Sequence, residues 1–311
     1  MKANSMCFSV IATCYNDESI ISDYFDNMFE QTLQPEEYIL VDGGSYDNTV
    51  RIVEDIKKKK CVNIKIISGR RLNIGQGYNE GIKESKYNNI IITGIGNMYN
   101  KHFNEELIKV KCSSEADIIY GVTKGQNSTW FAKSYNRYCL RGDKGILPEL
   151  PSNRGCLINK EITKKIGWFC ESFIYAGEDT NYYRRAQNAN ILFATTNKAI
   201  IYWETPKSLR EYRYQNKVYF IGRMQNRGIR TKDYLSYAIL ALAIAYILSW
   251  FLFHNIMLKV ISLLILYFAL AIRIQTFNIV SIFMYFYELV SPTWLLIMYG
   301  KYSKGKYRVI S

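Results

Sequence analysis

Near its start the chain runs Cys7-Phe8-Ser9-Val10-Ile11-Ala12-Thr13 and then breaks into Cys14-Tyr15-Asn16-Asp17-Glu18. Ile20, Ile21, Tyr24, Phe25, Met28 and Phe29 follow at helical spacing, and a second apolar run, Tyr38-Ile39-Leu40-Val41, ends in Asp42-Gly43-Gly44-Ser45-Tyr46-Asp47-Asn48-Thr49. Period-2 and period-3.6 patterns keep alternating, with further strands at 62–67, 89–93 and 116–120 and helices at 48–60, 79–84 and 104–111. Such alternation implies a parallel sheet with right-handed crossovers. In an open sheet of this kind ligands lie beyond the carboxyl ends of the strands, so the two polar clusters mark a binding crevice. The lysine run at 57–60 closes a helix, where cations complement the negative dipole end, and reads as a solvated terminus.

Past Tyr120 the pattern loosens, and 125–151 reads as a mobile loop near the crevice. Order returns with Asn153-Arg154-Gly155-Cys156-Leu157-Ile158, a short helix from Lys160, the turn Gly167-Trp168-Phe169-Cys170-Glu171, and Gly177-Glu178-Asp179-Thr180 opening another helix. The segment Asn73-Ile74-Gly75-Gln76-Gly77-Tyr78-Asn79-Glu80-Gly81 is Gly-x-Gly-x-x-x-Gly, one residue longer than the dinucleotide fingerprint, and follows the third strand instead of the first. That argues against an NAD site. Taken in order, these blocks resemble the inverting glycosyltransferases of family 2. There the first strand ends in a Thr-Tyr-Asn-Glu-like sequence and the second in Asp-Gly-Gly-Ser-x-Asp-x-Thr. An Asn-x-Gly-x-x-x-Asn-x-Gly segment, a Gly-Gly-Phe-Asp-Glu-like turn and a Glu-Asp pair come after them. The resemblance covers roughly the first two thirds of the chain. It is to the membrane-attached, polysaccharide-building branch of succinoglycan type, and it implies a GT-A Rossmann-like mixed α/β sheet flanked by helices.

The resemblance assigns the nucleotide of a nucleotide-sugar donor to Tyr15, Asn16, Asp42 and Ser45, with Asn79 packing at a helix start and Gly94, Gly96 and Asn97 at the end of the fourth strand. The alternative is that Asp42 and Ser45 only shape a turn, but the whole sequence block around Asp42 favours the functional reading for it, whereas Asp47 reads as a cap for the following helix. Arg70 and Arg71 are either phosphate contacts or ordinary surface charges. The resemblance also implies that the base is Asp179, whose neighbour Glu178 raises the cost of ionising both carboxyls and so tunes the pair toward proton transfer, the alternative being that the two acids only favour the dipole at a helix start. On the acceptor or membrane side stand Arg154, Trp203, Gln215 and Arg223; Trp203 is read as an aromatic platform for a sugar or as a core tryptophan.

One block departs from the family. Its fourth strand usually ends in Asp-x-Asp, which binds Mg²⁺ or Mn²⁺ bridging the diphosphate, whereas this chain reads Ile92-Thr93-Gly94-Ile95-Gly96-Asn97-Met98-Tyr99. Asn97 supplies one neutral oxygen, poor compensation for a hard cation. Three explanations stay open: weak metal binding through diphosphate, water and Asn97; replacement of the metal by Arg71, Arg154 or Arg184; or loss of activity with a binding role kept.

Seven cysteines without a Cys-x-x-Cys pair fit a reducing compartment better than a disulfide framework or zinc site, and two histidines leave little room for a Ser-His-Asp or histidine-metal mechanism. The net charge of +13 suits nucleic acid or an anionic membrane surface. Residues 234–253 carry no charge and match the roughly 20 needed to span a bilayer, which favours the membrane and argues against nucleic acid. Residues 208–226 interleave aromatic and basic side chains, as suits the headgroup layer. Residues 256–271 read as a second span, and 278–299, with Glu288 and Pro292, as a re-entrant or interfacial third helix. Two crossings keep the basic tail on the cytosolic side with the catalytic domain. The expected organisation is a catalytic domain at 1–206, a basic interface helix and linker at 207–232, and membrane-embedded helices with a basic tail at 233–311. The expected activity is inverting hexosyl transfer to a lipid-linked or other glycan acceptor, the alternatives being transfer to polyprenyl phosphate or a silent nucleotide-sugar-binding homologue.

Overall fold

The computed structural model describes residues 6–140, 142–144, 147–173 and 176–227, with isolated positions between 256 and 287. Eight strands, β1 (Phe8–Cys14), β2 (Glu37–Asp42), β3 (Ile64–Ile67), β4 (Asn89–Gly94), β5 (Asn97–Tyr99), β6 (Ile118–Gly125), β7 (Gly155–Asn159) and β8 (Phe193–Trp203), form one sheet in the order β3-β2-β1-β4-β7-β6-β8-β5. Strands β3, β2, β1 and β4 run parallel, β7 is antiparallel to both its neighbours, β6 is parallel to β8, and β5 is antiparallel to β8. The mixed α/β sheet expected from the sequence is the one found.

Helices cover both faces because successive strand residues point to opposite sides. Val10, Ala12 and Leu40 pack with α1 (Ile21–Phe29), α2 (Thr49–Lys60) and α4 (Phe103–Ser113) through Tyr24, Phe25, Val53 and Leu107. Ile11, Ile39 and Val41 pack on the other face with α3 (Ile74–Glu84), α6 (Ile162–Ile166) and α7 (Glu178–Asn188) through Tyr78, Ile82, Ile162 and Tyr182. Glycines set the distance between α3 and β1: a Cβ on Gly81 would lie 2.5 Å from Ile11 Cγ2, and one on Gly77 2.8 Å from Thr13 Cγ2.

Two readings of the sequence need correction here. Helix α3 begins five residues before Asn79, closed by a capping box in which the Asn73 side chain accepts the Gln76 N–H and the Gln76 side chain accepts the Asn73 N–H; Asn79 therefore sits mid-helix. The stretch read as a loop contains α5 (Trp130–Cys139), with Thr129 capping the Ala132 N–H at 3.1 Å. Its buried face, Ala132, Ser134, Tyr135 and Asn136, is too polar to leave a periodic apolar signal.

By internal packing the chain divides into two compact units, Met1–Gln126 with Arg141–Glu204, and Asn127–Leu140 with Thr205–Ser311. The first holds the sheet. In the second, Tyr212 of α8 (Leu209–Arg227) is buried against Phe131 and Tyr135 of α5, with ring centroids 6.3 and 5.7 Å away. The stretches 234–253, 256–271 and 278–299 and the basic tail lie outside the described residues except at the isolated positions. There Ile256, Met257, Val260, Leu264 and Phe268 are exposed. Among the described residues no helix is long and apolar enough to cross a membrane.

Candidate active site

Register brings the strand ends together: Cys14 of β1 lies opposite Asp42 of β2, and Thr13 lies opposite Gly94 of β4. The buried Asp42 carboxylate accepts the Ser45 N–H at 3.0 Å, the Ser45 hydroxyl at 2.5 Å and the Gly44 N–H at 3.2 Å. Ser45 Oγ accepts the Asn16 N–H at 2.9 Å, and Asn16 Oδ1 accepts the Tyr46 N–H at 3.1 Å. The loops after β1 and β2 are thereby stitched into one wall. Asp42 also shapes the turn that carries Gly44 and Ser45. Burial, with the Asp42 carboxylate adding to it, pushes the Cys14 thiol up. The outer surface of the wall is the ring of Tyr15, 48 % exposed and edge-on to Tyr46.

Asp47 Oδ1 accepts the Thr49 N–H at 3.0 Å and Oδ2 the Glu18 N–H at 3.2 Å, tying the start of α2 to the first loop from the residue before the N-cap, Asn48. Arg70 pairs with Glu80 at 2.9 Å, while Arg71, exposed, has its backbone against Gly44, a glycine at φ 91°.

The second half of the site joins the end of β4 to the start of α7. The Tyr99 hydroxyl accepts the Gly94 N–H at 2.9 Å and contacts the Arg154 carbonyl, and Asn97 Nδ2 donates to Gly94 O at 3.1 Å. The Arg154 guanidinium lies over the Trp203 ring, 4.0 Å from its centroid. Tyr183 donates to Asn153 Oδ1 at 2.7 Å, and Tyr78 to Asn153 O at 3.4 Å. Glu178 is buried, and burial, followed by the Asp179 charge beside it, pushes its carboxyl up to about 8, with Arg154 pulling the other way. Asp179 is half-buried, and one of its oxygens accepts the Thr180 N–H. Three buried polar atoms in this half, Asn97 Oδ1, Asn153 Nδ2 and Glu178 Oε2, have no hydrogen-bond partner. Such atoms are rare in folded proteins.

Several candidate residues lie elsewhere or act differently. Asn79 is fully occupied in clamping the 169–171 turn: its Oδ1 accepts the Phe169 N–H, and its Nδ2 donates to Phe169 O and Glu171 Oε1, each at 2.9 Å. The glycines of this segment admit α3 to the sheet and, at Gly75, admit Cys170 O, 2.8 Å from where a Cβ would be. A Cβ on Gly96 would meet nothing within 4 Å. Gln215 belongs to the second unit and accepts the Tyr135 hydroxyl at 2.7 Å; Arg223 is on α8 of the same unit. Asn153, Tyr78, Tyr99 and Tyr183 were not legible as site residues. Their only signal was an asparagine beside Arg154 and tyrosines that read as ordinary core.

No cluster of three His, Cys, Asp or Glu side chains able to hold a metal occurs among the described residues. At the end of β4 the Gly94 carbonyl is already taken by Asn97 and Tyr99, which leaves the Asn97 Oδ1. One neutral oxygen does not fit a hard divalent cation.

Residues 9–158 match the model of Glycosyl transferase family 2. The chain is 25% identical over 202 residues to a dolichyl N-acetyl-α-D-glucosaminyl phosphate 3-β-D-2,3-diacetamido-2,3-dideoxy-β-D-glucuronosyltransferase of Methanococcus voltae, covering 60% of this chain and 56% of that protein. It spans between 19% and 63% of the length of the curated relatives it matches. Among solved structures, mannosyltransferase PcManGT from Pyrobaculum calidifontis, in complex with GDP-Man and Mn²⁺, aligns with a TM-score of 0.64 at 16% identity over 92% of this chain and 87% of that one. S. aureus TarS 1–349 in complex with UDP-GlcNAc aligns with a TM-score of 0.52 at 18% identity over 71% and 68%. At these identities the two structures establish the fold.

Proposed function

The chain carries a glycosyl transferase family 2 domain, and from that premise we propose that it transfers a sugar, with inversion, from a nucleotide-sugar donor to a hydroxyl of a glycan acceptor carried on a lipid. The observation that carries this reading is the acid pair opening α7: Glu178 buried, held toward its neutral form and reached by the charge of Arg154 just before β7, with Asp179 half-exposed beside it. The Asp179 carboxylate takes the proton of the acceptor hydroxyl. The freed oxygen bonds to the anomeric carbon as that carbon's bond to the phosphate oxygen breaks, and the electron pair leaves on the nucleoside diphosphate. Keeping Glu178 neutral spares Asp179 a second adjacent negative charge. The wall formed by Tyr15, Asn16 and Ser45 receives the nucleoside, with the Tyr15 ring as stacking face.

Nucleotide-sugar complexes among the fold neighbours and the lipid-linked acceptor named for the archaeal relative support donor and acceptor class. Membrane attachment, with the catalytic unit on the cytoplasmic side, is supported by the exposed apolar positions at 256–268 and by an α8 face bearing Arg210, Arg213, Tyr214 and Lys217. The nucleotide and the sugar are to be found by a thermal-shift screen, since a ligand that binds the native state stabilises it with occupancy. Turnover of that donor by membranes carrying wild type or Asp179→Asn tests the chemistry. The variant should lose roughly 10² to 10⁴-fold; equal residual hydrolysis by both would favour a silent binding protein.

A further inference from the structure

We infer that Tyr46 forms the second side of the nucleobase site: the base of the donor lies in the corner between the rings of Tyr15 and Tyr46, stacked on one and edge-on to the other; this rests on the donor reading above. The two rings meet just beyond the carboxyl ends of β1 and β2, with centroids 6.3 Å apart and planes at 82°. A planar base laid parallel to either ring meets the other near a right angle, and both offset-stacked and edge-to-face contacts between π-systems are favourable. Tyr46 is 84 % exposed and Tyr15 48 %, so neither ring serves the core. Tyr46 stands at an open position of the Asp-Gly-Gly-Ser-x-Asp-x-Thr block, to which the resemblance assigns no role.

A single exposed tyrosine needs no explanation, but this pair stands on backbone that is fixed from both sides. Asn16 makes the junction. It lies in the left-handed region at φ 55°, which is uncommon outside glycine although asparagine enters it more readily than most residues. From there its N–H donates to Ser45 Oγ at 2.9 Å, and its Oδ1 accepts the Tyr46 N–H at 3.1 Å. On the two flanks the Tyr15 N–H donates to Asp17 Oδ2 at 3.0 Å and the Ser45 N–H to Asp42 Oδ1 at 3.0 Å. Backbone held in a sparsely populated conformation by its own hydrogen bonds recurs at ligand clamps. Here it sets the stems of both rings before a ligand arrives, which lowers the ordering cost of binding. Among the described residues of the sheet-bearing unit the one other exposed Tyr, Trp or Phe is Trp168. That ring belongs to the 167–171 turn and has the Lys83 ammonium 5.5 Å from its centroid, so it is no rival for the place beside Tyr15.

The test is binding of uridine, thymidine, guanosine and adenosine, and of their diphosphates, to the full-length protein in detergent, measured by calorimetry and thermal shift. Tyr46→Ala should weaken a nucleoside and its diphosphate by the same factor, about five- to hundredfold, as expected for one lost base–aromatic contact. Tyr46→Phe should bind as wild type does, because the contact uses the ring and not the hydroxyl. Without ligand both variants should melt with wild type, since the ring buries little of its surface. Tyr46→Ala with full affinity for every compound that wild type binds overturns the inference, even where turnover of a sugar donor falls, and leaves the donor reading standing. A loss confined to the diphosphates, or matched by an equal drop in ligand-free stability, overturns it too, because the ring would then act on phosphate or hold the loop. Binding of none of these compounds to wild type removes the donor reading and this inference with it.

Discussion

Glu178 sits buried in the first turn of α7, and its carboxyl, raised from 4.5 to about 8, carries its proton into the folded state at neutral pH. Because the folded chain then binds a proton that the unfolded chain has released, this group's contribution to stability is complete below about pH 4.5 and is lost as pH rises toward 8. At pH 9 the cost of the ionised, buried group is on the order of a few kcal/mol. Glu178→Gln, which is neutral at every pH, should therefore match wild type near pH 5 and melt at higher temperature than wild type at pH 9. Denaturation across pH 5 to 9 checks this, and parallel curves for the two proteins would mean that the group is not desolvated. The same side chain is where the glutamate of the Glu-Asp motif differs from its neighbour: sequence alone makes the two acids equal, and burial separates them.

At the level of single elements, α3 is held to the turn at 169–171 by Asn79. Asn79→Ala removes both partners of the Phe169 backbone and should destabilise the fold by roughly 2 to 4 kcal/mol in urea titration, with donor affinity little changed in whatever protein remains folded. A variant of normal stability and weakened donor binding would instead return Asn79 to the nucleotide. The strands β1, β2 and β4, with α1, α2 and α4, were legible because their apolar residues recur at the period of the element and end in turn-forming clusters. Helix α5 was not, since its buried positions are small or polar. Strand β8 was not, since its middle carries Asn197 and Lys198 at the surface, and β5 is too short for a period to show. The site divides in the same way. Residues within family-like blocks, Asp179 and Tyr15 among them, are the ones sequence proposes for the site. The Asn153–Tyr183 and Tyr99–Arg154 links join residues more than twenty positions apart and exist only once β4 and β7 pair.

At the scale of the whole molecule, the proposed attachment to a lipid boundary is open to test on α8. The α8 face of Arg210, Arg213 and Lys217, opposite the buried Tyr212 and Asn216, should favour vesicles of anionic lipid over neutral ones. Each neutralised cation should cost about 1 kcal/mol of that preference, about fivefold. Exchanging all three for alanine and measuring co-sedimentation at low and high salt checks this, and a salt-independent preference that survives the exchange would assign attachment to apolar surface alone. The sheet-bearing unit is assembled from two lengths of chain, one leaving at Gln126 and the other at Glu204. Both departures are neighbours in the sheet: Gly125 is in register with Trp203, and the Gln126 N–H donates to Trp203 O at 2.9 Å. The polypeptide thus departs for its second unit twice from one place in the sheet, beside the indole beneath Arg154. Excising or grafting at either departure therefore falls beside Trp203, the ring stacked under Arg154, before it reaches any residue of the acid pair.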